Sequence, residues 1–176
     1  MRSYDLITVG NWFKDLEILR YAFGTEVEEL SLREMAQRYQ AEMDSQRQYI
    51  LSLETPAQET FGFVRFNMNR SSNHLKVARI GILIGDKSYW GKGWGTEAVA
   101  TFIHFLFTQK SADRIELDTA HFNHRAQRCF EKCGFCRSRP PENYQSPSND
   151  PTVKVWMELT KERWQSERKG LSELKG

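Results

Sequence analysis

Cysteine is scarce. The chain has three in 176 residues, odd in number and crowded at 129, 133 and 136, and no disulfide framework can be read from them. Long apolar runs are missing too: no uncharged stretch approaches the ~18 residues a membrane span needs. Charge of one sign is not in excess, since 25 Lys and Arg face 23 Asp and Glu for a net +2. That balance argues against a dedicated nucleic-acid binder while leaving room for a local basic patch. No internal repeat and no low-complexity linker divides the chain. The opening MRSYDLITVGNWFKDLE has acids inside its apolar stretch and does not read as a signal peptide. What is present, 39% hydrophobic and 12% aromatic residues, argues against wholesale disorder. The length suits one domain, which would bury roughly 70% of its extended surface without disulfides. The expectation is a soluble, cytoplasmic protein.

Residues 4–9 (YDLITV) read as a strand. Leu16, Leu19 and Phe23 have helical spacing and Gly24 is a stop. A second helical pattern, Leu32, Met35, Ala36, Tyr39 and Met43, follows Ser31. Residues 48–54 and 61–67 flank a proline-bearing turn as a hairpin, and 77–85 reads as a mostly buried strand. Next come a glycine-rich turn and a helix with Val99, Phe102, Ile103 and Leu106 on one stripe, then a strand over 114–120. Asn123 is an N-cap and Gly134 a C′ residue for the helix between them. Residues 135–139 begin another strand, 140–150 are loop and 152–160 form a last strand. From Lys161 the charged tail is expected to fray.

The turn Tyr89-Trp90-Gly91-Lys92-Gly93-Trp94-Gly95-Thr96 joins a buried strand to an amphipathic helix. Glycines permit positive φ there. Backbone N–H groups of such a turn, with the orphan N–H groups of the next helix, make an anion site that suits a pyrophosphate. Lys92 adds charge at its rim. A P-loop does not fit, because Gly85 and Gly91 are one residue too far apart and Gly93 follows Lys92. A dinucleotide fingerprint does fit from Gly93 in its looser form ending in Ala98, with Asp118 about 20 residues on. However, several strands precede this turn, and the fingerprint normally sits on the first βα turn. A tight turn with no ligand is the plain alternative.

The segment Asn123-His-Arg-Ala126-Gln-Arg-Cys-Phe130-Glu-Lys132-Cys-Gly134-Phe135 adds a second signal. Together the two segments resemble the GNAT superfamily of acyl-CoA-dependent N-acetyltransferases. Its first motif, (Gln/Arg)-x-x-Gly-x-(Gly/Ala), is met at Gly93 and Gly95, with Trp90 in the leading position. The Trp-Gly-Lys-Gly start looks like the branch containing the ribosomal-protein N-terminal acetyltransferases. The second motif, Asn-x-x-Ala-x-x-x-Tyr-x-Lys-x-Gly-Phe, is met at Asn123, Ala126, Lys132, Gly134 and Phe135, with Phe130 replacing the Tyr. The resemblance covers residues 48–160.

The resemblance implies an α/β fold: a mixed, mostly antiparallel sheet flanked by helices and splayed at its central strands. One domain would occupy 1–165, with a charged tail over 166–176. Acetyl-CoA would be the co-substrate, with no metal. Ile82, Leu83 and Ile84 would line the pantetheine arm, and N–H groups there would polarise the thioester carbonyl. Gly91, Lys92, Gly93, Trp94, Gly95 and Thr96 would hold the pyrophosphate. Asn123 and its helix, through Ala126, Phe130 and Lys132, would flank the arm. An acceptor ammonium with pKa near ~10.4 needs about 4.6 kcal/mol to lose its proton at pH 7. Asp118 is the candidate base, Glu116 the second choice and His121 a third. The family's other usual acid falls near Arg79, which cannot serve. Phe130 has no proton for the leaving thiolate; Tyr144 or Ser138 would have to supply one, or the thiolate leaves unaided.

The acceptor pocket would come from the N-terminal helices and the 138–151 loop. A protein N-terminus is the acceptor favoured by Trp-Gly-Lys-Gly. A polyamine or aminoglycoside-like amine is favoured by Asp118 and Asn-x-Arg-Ala. A non-catalytic CoA-binding module, motivated by Phe130 and Arg79, is a third reading, and a ribosome or nucleic-acid accessory protein a fourth. The partners are acetyl-CoA and an amine, with no membrane; nucleic acid is not expected and a homodimer is open. The spacing of Cys129, Cys133 and Cys136 with His121 and His124 upstream admits a zinc site on paper, but two of the thiols lie on a helix and half-buried thiols are the expected reading.

Overall fold

A computed structural model describes residues 3–23, 49–141 and 154–173. In chain order the elements are α1 (Ser3–Trp12), α2 (Leu16–Phe23), β1 (Tyr49–Glu54), β2 (Thr60–Arg70), β3 (Lys76–Ile84), a single 3-10 turn (Lys87–Tyr89) and α3 (Trp94–Thr108). After these come β4 (Arg114–Ala120), α4 (His124–Lys132), β5 (Cys136–Arg137), β6 (Lys154–Thr160) and α5 (Lys161–Glu173). The helical pattern expected over 32–43 lies outside the described residues, as do Tyr144 and most of the 138–151 loop. The strands hydrogen-bond in the order β1-β2-β3-β4-β6-β5. The β1/β2, β4/β6 and β5/β6 pairs are antiparallel and β3/β4 is parallel. This is the mixed, mostly antiparallel sheet flanked by helices that the sequence leads one to expect. The parallel ladder of β3 and β4 covers Val77↔Arg114, Ala78↔Ile115 and Arg79↔Glu116. After Arg79 the chain passes from one compact unit to another.

The first unit holds residues 1–67 and 80–95. Its core gathers Val9, Trp12, Ile18, Phe63 and Leu83, with Phe13, Ile50 and Trp90 packed against it. This core explains why 4–9 is helical rather than extended. Val9 and Trp12 are both buried and three residues apart, a spacing that only a helix puts on one face. Tertiary burial overrides the strand preference of the local β-branched run. Asp15 starts α2 by accepting from the N–H groups of Glu17 and Ile18. Lys87 bridges to Asp15 at 2.7 Å and Glu17 at 2.6 Å. The hydrogen bond from Lys87 holds the Asp15 carboxyl below its ordinary range, and the bond to Asp15 raises Lys87 in turn.

Two glycines in this unit exist for close packing. A Cβ on Gly85 would lie 1.9 Å from Cδ2 of Trp12, and one on Gly62 would lie 2.3 Å from the Leu83 carbonyl oxygen. Gly85→Ala is therefore expected to destabilise the fold by about 1–3 kcal/mol, because a buried indole has to shift to admit the methyl. Urea unfolding followed by tryptophan fluorescence measures this, and an unchanged midpoint would contradict the packing described.

The second unit holds residues 68–79 and 96–176. Helix α3 buries Val99, Phe102, Ile103, Leu106 and Phe107, the stripe read from the sequence extended by one residue. Ile115, Leu117, Met157 and Leu159 of β4 and β6 are also fully buried. Asp113 ties element ends together. Its carboxylate accepts from Lys76 N at 2.8 Å, and its carbonyl accepts from Lys161 N at 3.0 Å. The tail expected to fray is instead helical from Lys161 to Glu173. Trp164 is the reason: its ring lies 5.1 Å from that of Phe107, an anchor that offsets the entropy of ordering a polar helix. Among the described residues no helix is long and apolar enough to cross a membrane.

Candidate active site

The glycine turn lies in the first unit. Gly91 has φ +72° and Gly93 φ +91°, values that L side chains rarely adopt. Unlike Gly85 and Gly62, neither would bring a Cβ within 4 Å of any protein atom. Nothing inside the protein requires the missing side chains at these two positions; only the backbone path does. The result is an exposed bend of main chain, Gly91-Lys92-Gly93, running into the first turn of α3. A helix opening presents unsatisfied N–H groups and the positive end of the helix dipole, the features that anion sites use.

Aromatic packing fixes the bend from below. Tyr89 stacks on Phe61 at 4.8 Å, and Trp94 meets Phe61 at 5.4 Å and Tyr89 at 5.5 Å, both edge-on. The Trp94 ring is committed to this cluster. Trp90 donates its indole N–H to the Ile84 carbonyl at 2.7 Å and meets Tyr21 edge-on at 5.7 Å. The residue that departs from the family motif has a packing task, which scattered tryptophans in a sequence do not announce.

The three residues of the strand expected to line a pantetheine arm have different surroundings. Leu83 is 8% exposed and sits in the first unit's core, so its side chain is not available to a ligand. The Ile84 carbonyl already accepts from Trp90. Ile82 and Ile84 are both half-buried and, two residues apart, share the opposite strand face from Leu83.

In the second unit, Thr96 lies in the first turn of α3, and α4 faces it with two thiols. The Thr96 hydroxyl donates to Cys129 Sγ at 3.5 Å, and Cys133 Sγ donates to the Thr96 carbonyl at 3.6 Å. The hydrogen bond from Cys133 lowers the Cys129 thiol to about 7, with help from Thr96 and the Lys132 charge and against partial burial. That same bond, with burial, pushes Cys133 upward. Among the described residues no group of three His, Cys, Asp or Glu side chains is gathered as metal ligands.

Asn123 caps α4 as its sequence position predicts, its Oδ1 accepting from Ala126 N at 3.2 Å. The far end closes in a Schellman arrangement. Phe135 N donates to Phe130 O at 3.1 Å and Gly134 N to Glu131 O at 3.0 Å, with Gly134 at φ +92°. Phe130 is 5% exposed, and its ring lies 5.9 Å from that of Phe135. This is the apolar contact that accompanies such a cap. Asn123 and Phe130 are thus both engaged in building the helix ends. Ala126 is half-buried, and Lys132 is exposed.

Asp118 sits on β4 opposite Trp156 of β6. Its Oδ1 accepts from Arg79 Nη2 at 2.6 Å, its Oδ2 is 3.0 Å from Lys154 Nζ, and its side chain is 19% exposed. The Arg79 guanidinium lies 4.5 Å above the Trp156 ring. Arg79, noted in the sequence as the loss of one acid, is in fact the partner that orients the other. Glu116 is paired to Arg114 at 2.7 Å and shares Asp118's strand face. His121 is exposed beside Phe122.

One positioning residue escaped the sequence reading. Gln127, 4% exposed, donates to the carbonyls of Ala120 at 3.2 Å and His121 at 2.8 Å, and it accepts from Arg137 at 3.1 Å. It fastens the end of β4 to α4. An amide on the apolar side of a helix, four residues after its N-cap, was the available signal.

Comparison with known proteins places this geometry. An aminoglycoside N(6')-acetyltransferase type 1 of Klebsiella pneumoniae is 39% identical over 61 residues, 35% of this chain and 30% of that protein. The chain thus spans about a third of that relative's length. A kanamycin resistance protein of Rhizobium radiobacter is 39% identical over 54 residues, 31% of this chain and 50% of that protein. Among solved structures, spermidine N-acetyltransferase from Vibrio cholerae, in complex with CoA and spermine, superposes with TM-score 0.70 at 18% identity, covering 94% of this chain and 95% of that one. An aminoglycoside acetyltransferase in complex with ribostamycin and coenzyme A gives 0.73 at 22% identity, covering 96% and 94%. These relatives are polyamine and aminoglycoside acetyltransferases, not the ribosomal-protein branch that Trp90-Gly-Lys-Gly suggested. The family model for the acetyltransferase (GNAT) domain matches residues 1–136, and the chain belongs to that family.

Proposed function

We propose that the chain transfers the acetyl group of acetyl-CoA to a primary amine of a small polycationic molecule, of the polyamine or aminoglycoside class. The observation that carries this reading is the pair of left-handed glycines, Gly91 and Gly93, whose missing side chains face open space. Family membership supports the reaction, and the substrates of its relatives support the acceptor class.

The glycine turn is the coenzyme's anchor. The N–H groups of the bend and of the α3 opening take the diphosphate, and Lys92 adds charge. Ile82 and the N–H groups of neighbouring β3 residues take the arm. Asp118 is the base. Its Oδ2 already receives one primary ammonium, that of Lys154, and an acceptor ammonium would be received in kind. Asp118 holds the amine and takes its proton. The neutral nitrogen then attacks the thioester carbon and the C–S bond breaks. Phe130 donates no proton, and a thiol of pKa near ~8.5 leaves as the thiolate without one. Trp90 has a packing explanation and need not mark a protein N-terminus as acceptor.

Thiol release from acetyl-CoA, measured with spermidine, kanamycin and a peptide with a free N-terminus, tests this. Turnover with a polyamine or an aminoglycoside and none with the peptide is expected. Turnover with the peptide alone would overturn the acceptor class, and CoA binding with no turnover on any acceptor would favour a non-catalytic module.

A further inference from the structure

The thiols of α4 play no part in acetyl transfer, yet two of them meet at one residue. Cys129 and Cys133 stand four apart, on one face of the helix, and both contact Thr96. Helix geometry puts their Cα atoms about 6 Å apart, within a disulfide's range, but their Cβ atoms about 5–6 Å apart, beyond the roughly 3.5–4.5 Å it needs; the bond closes only when the helix end opens at Cys133, its C-cap. Both side chains are half-buried, so a small oxidant can reach them. The surroundings favour a sulfur anion at Cys129. The Thr96 hydroxyl donates to it, the positive end of α3 begins two residues before Thr96, and Lys132 adds its charge. Cys133 keeps its one proton, which lies between the Cys129 sulfur and the Thr96 carbonyl. One sulfur is set up to attack and its neighbour to follow. Cys136 lies on β5.

We infer that Cys129 is a peroxide-reactive thiol and that Cys133 resolves it into an intrahelical Cys129–Cys133 disulfide. The Cys129 thiolate attacks one oxygen of hydrogen peroxide. The O–O bond breaks, Cys129 becomes a sulfenic acid, and the departing hydroxide takes a proton to become water. The Cys133 thiol gives up its proton and attacks the sulfenic sulfur, and the expelled hydroxide leaves as a second water. Two thiols are oxidised and one peroxide is reduced. The new bond withdraws both thiol contacts from Thr96, in the first turn of α3.

The test is peptide mapping by mass spectrometry of the full chain after hydrogen peroxide at neutral pH, with and without dimedone. It needs no coenzyme and no acceptor, so its outcome does not depend on the acetyl-transfer reading. A linked Cys129–Cys133 peptide short of two hydrogens, restored by dithiothreitol, is expected. Cys133→Ser should leave a dimedone adduct on Cys129, Cys129→Ser should abolish reaction at Cys133, and Cys136→Ser should behave as the parent chain. A disulfide through Cys136, or equal oxidation of Cys133 in Cys129→Ser, would overturn the assignment. The parent chain alone gives a second measure that no folding defect can confuse. Iodoacetamide should label Cys129 half-maximally near pH 7, well before Cys133. Equal labelling of the two thiols at every pH would contradict it.

Discussion

Gly93→Val is expected to weaken coenzyme A binding about 100-fold, equivalent to roughly 2.7 kcal/mol. Two effects add. At φ +91° a β-branched residue is held in a conformation that costs of order 1–3 kcal/mol, so the bend relaxes and its N–H groups turn away from their common focus. Each hydrogen bond to a charged oxygen that is lost is worth about 1.5–3 kcal/mol. The fold itself should tolerate the change, because no protein atom lies within 4 Å of a Cβ built there. Calorimetric titration of CoA into the variant, beside thermal unfolding of both proteins, separates binding from stability. Affinity within about twofold of the parent chain would mean the bend does not hold the coenzyme.

Asp118→Asn should lower kcat/KM for the amine about 100-fold while leaving CoA affinity intact, the middle of the range for losing a positioned acid or base. Asn keeps the shape and can still accept from Arg79, but it neither attracts an ammonium nor takes its proton. The Arg79 and Lys154 contacts leave the Asp118 side chain 19% exposed, and its loss strips both cations of their partner, so unfolding of both proteins is measured beside the kinetics. Steady-state kinetics with spermidine or kanamycin, with binding of CoA measured separately, decides it. A kcat/KM within about threefold of the parent chain would remove Asp118 from the chemistry.

Much of the second unit was legible because its signals are local. β4 runs from Arg114 to Ala120 as read, Asn123 and Gly134 cap α4 as read, and the α3 stripe is the one its spacing implies. Caps and periodicity depend on neighbours within one or two turns, so the sequence states them directly. The errors arise where distant residues decide. α1 is helical because Val9 and Trp12 meet Phe63 and Leu83, partners more than fifty residues away. α5 is ordered because Trp164 reaches Phe107. Leu83 looks like its neighbours Ile82 and Ile84 in a run of apolar residues, and only the fold shows which face each one takes. Phe130 reads as a missing proton donor from the motif, while in the fold it is the apolar half of a helix cap. Arg79 reads as an absent acid and is found bound to the acid that remains.

The most direct test of the coenzyme site follows the backbone amides of the glycine turn by NMR as CoA is added. The N–H groups of residues 91–96 should show the largest downfield shifts, saturating together with the calorimetric binding curve. Saturation with CoA that leaves those amides where they were, while others move, would contradict the site proposed here.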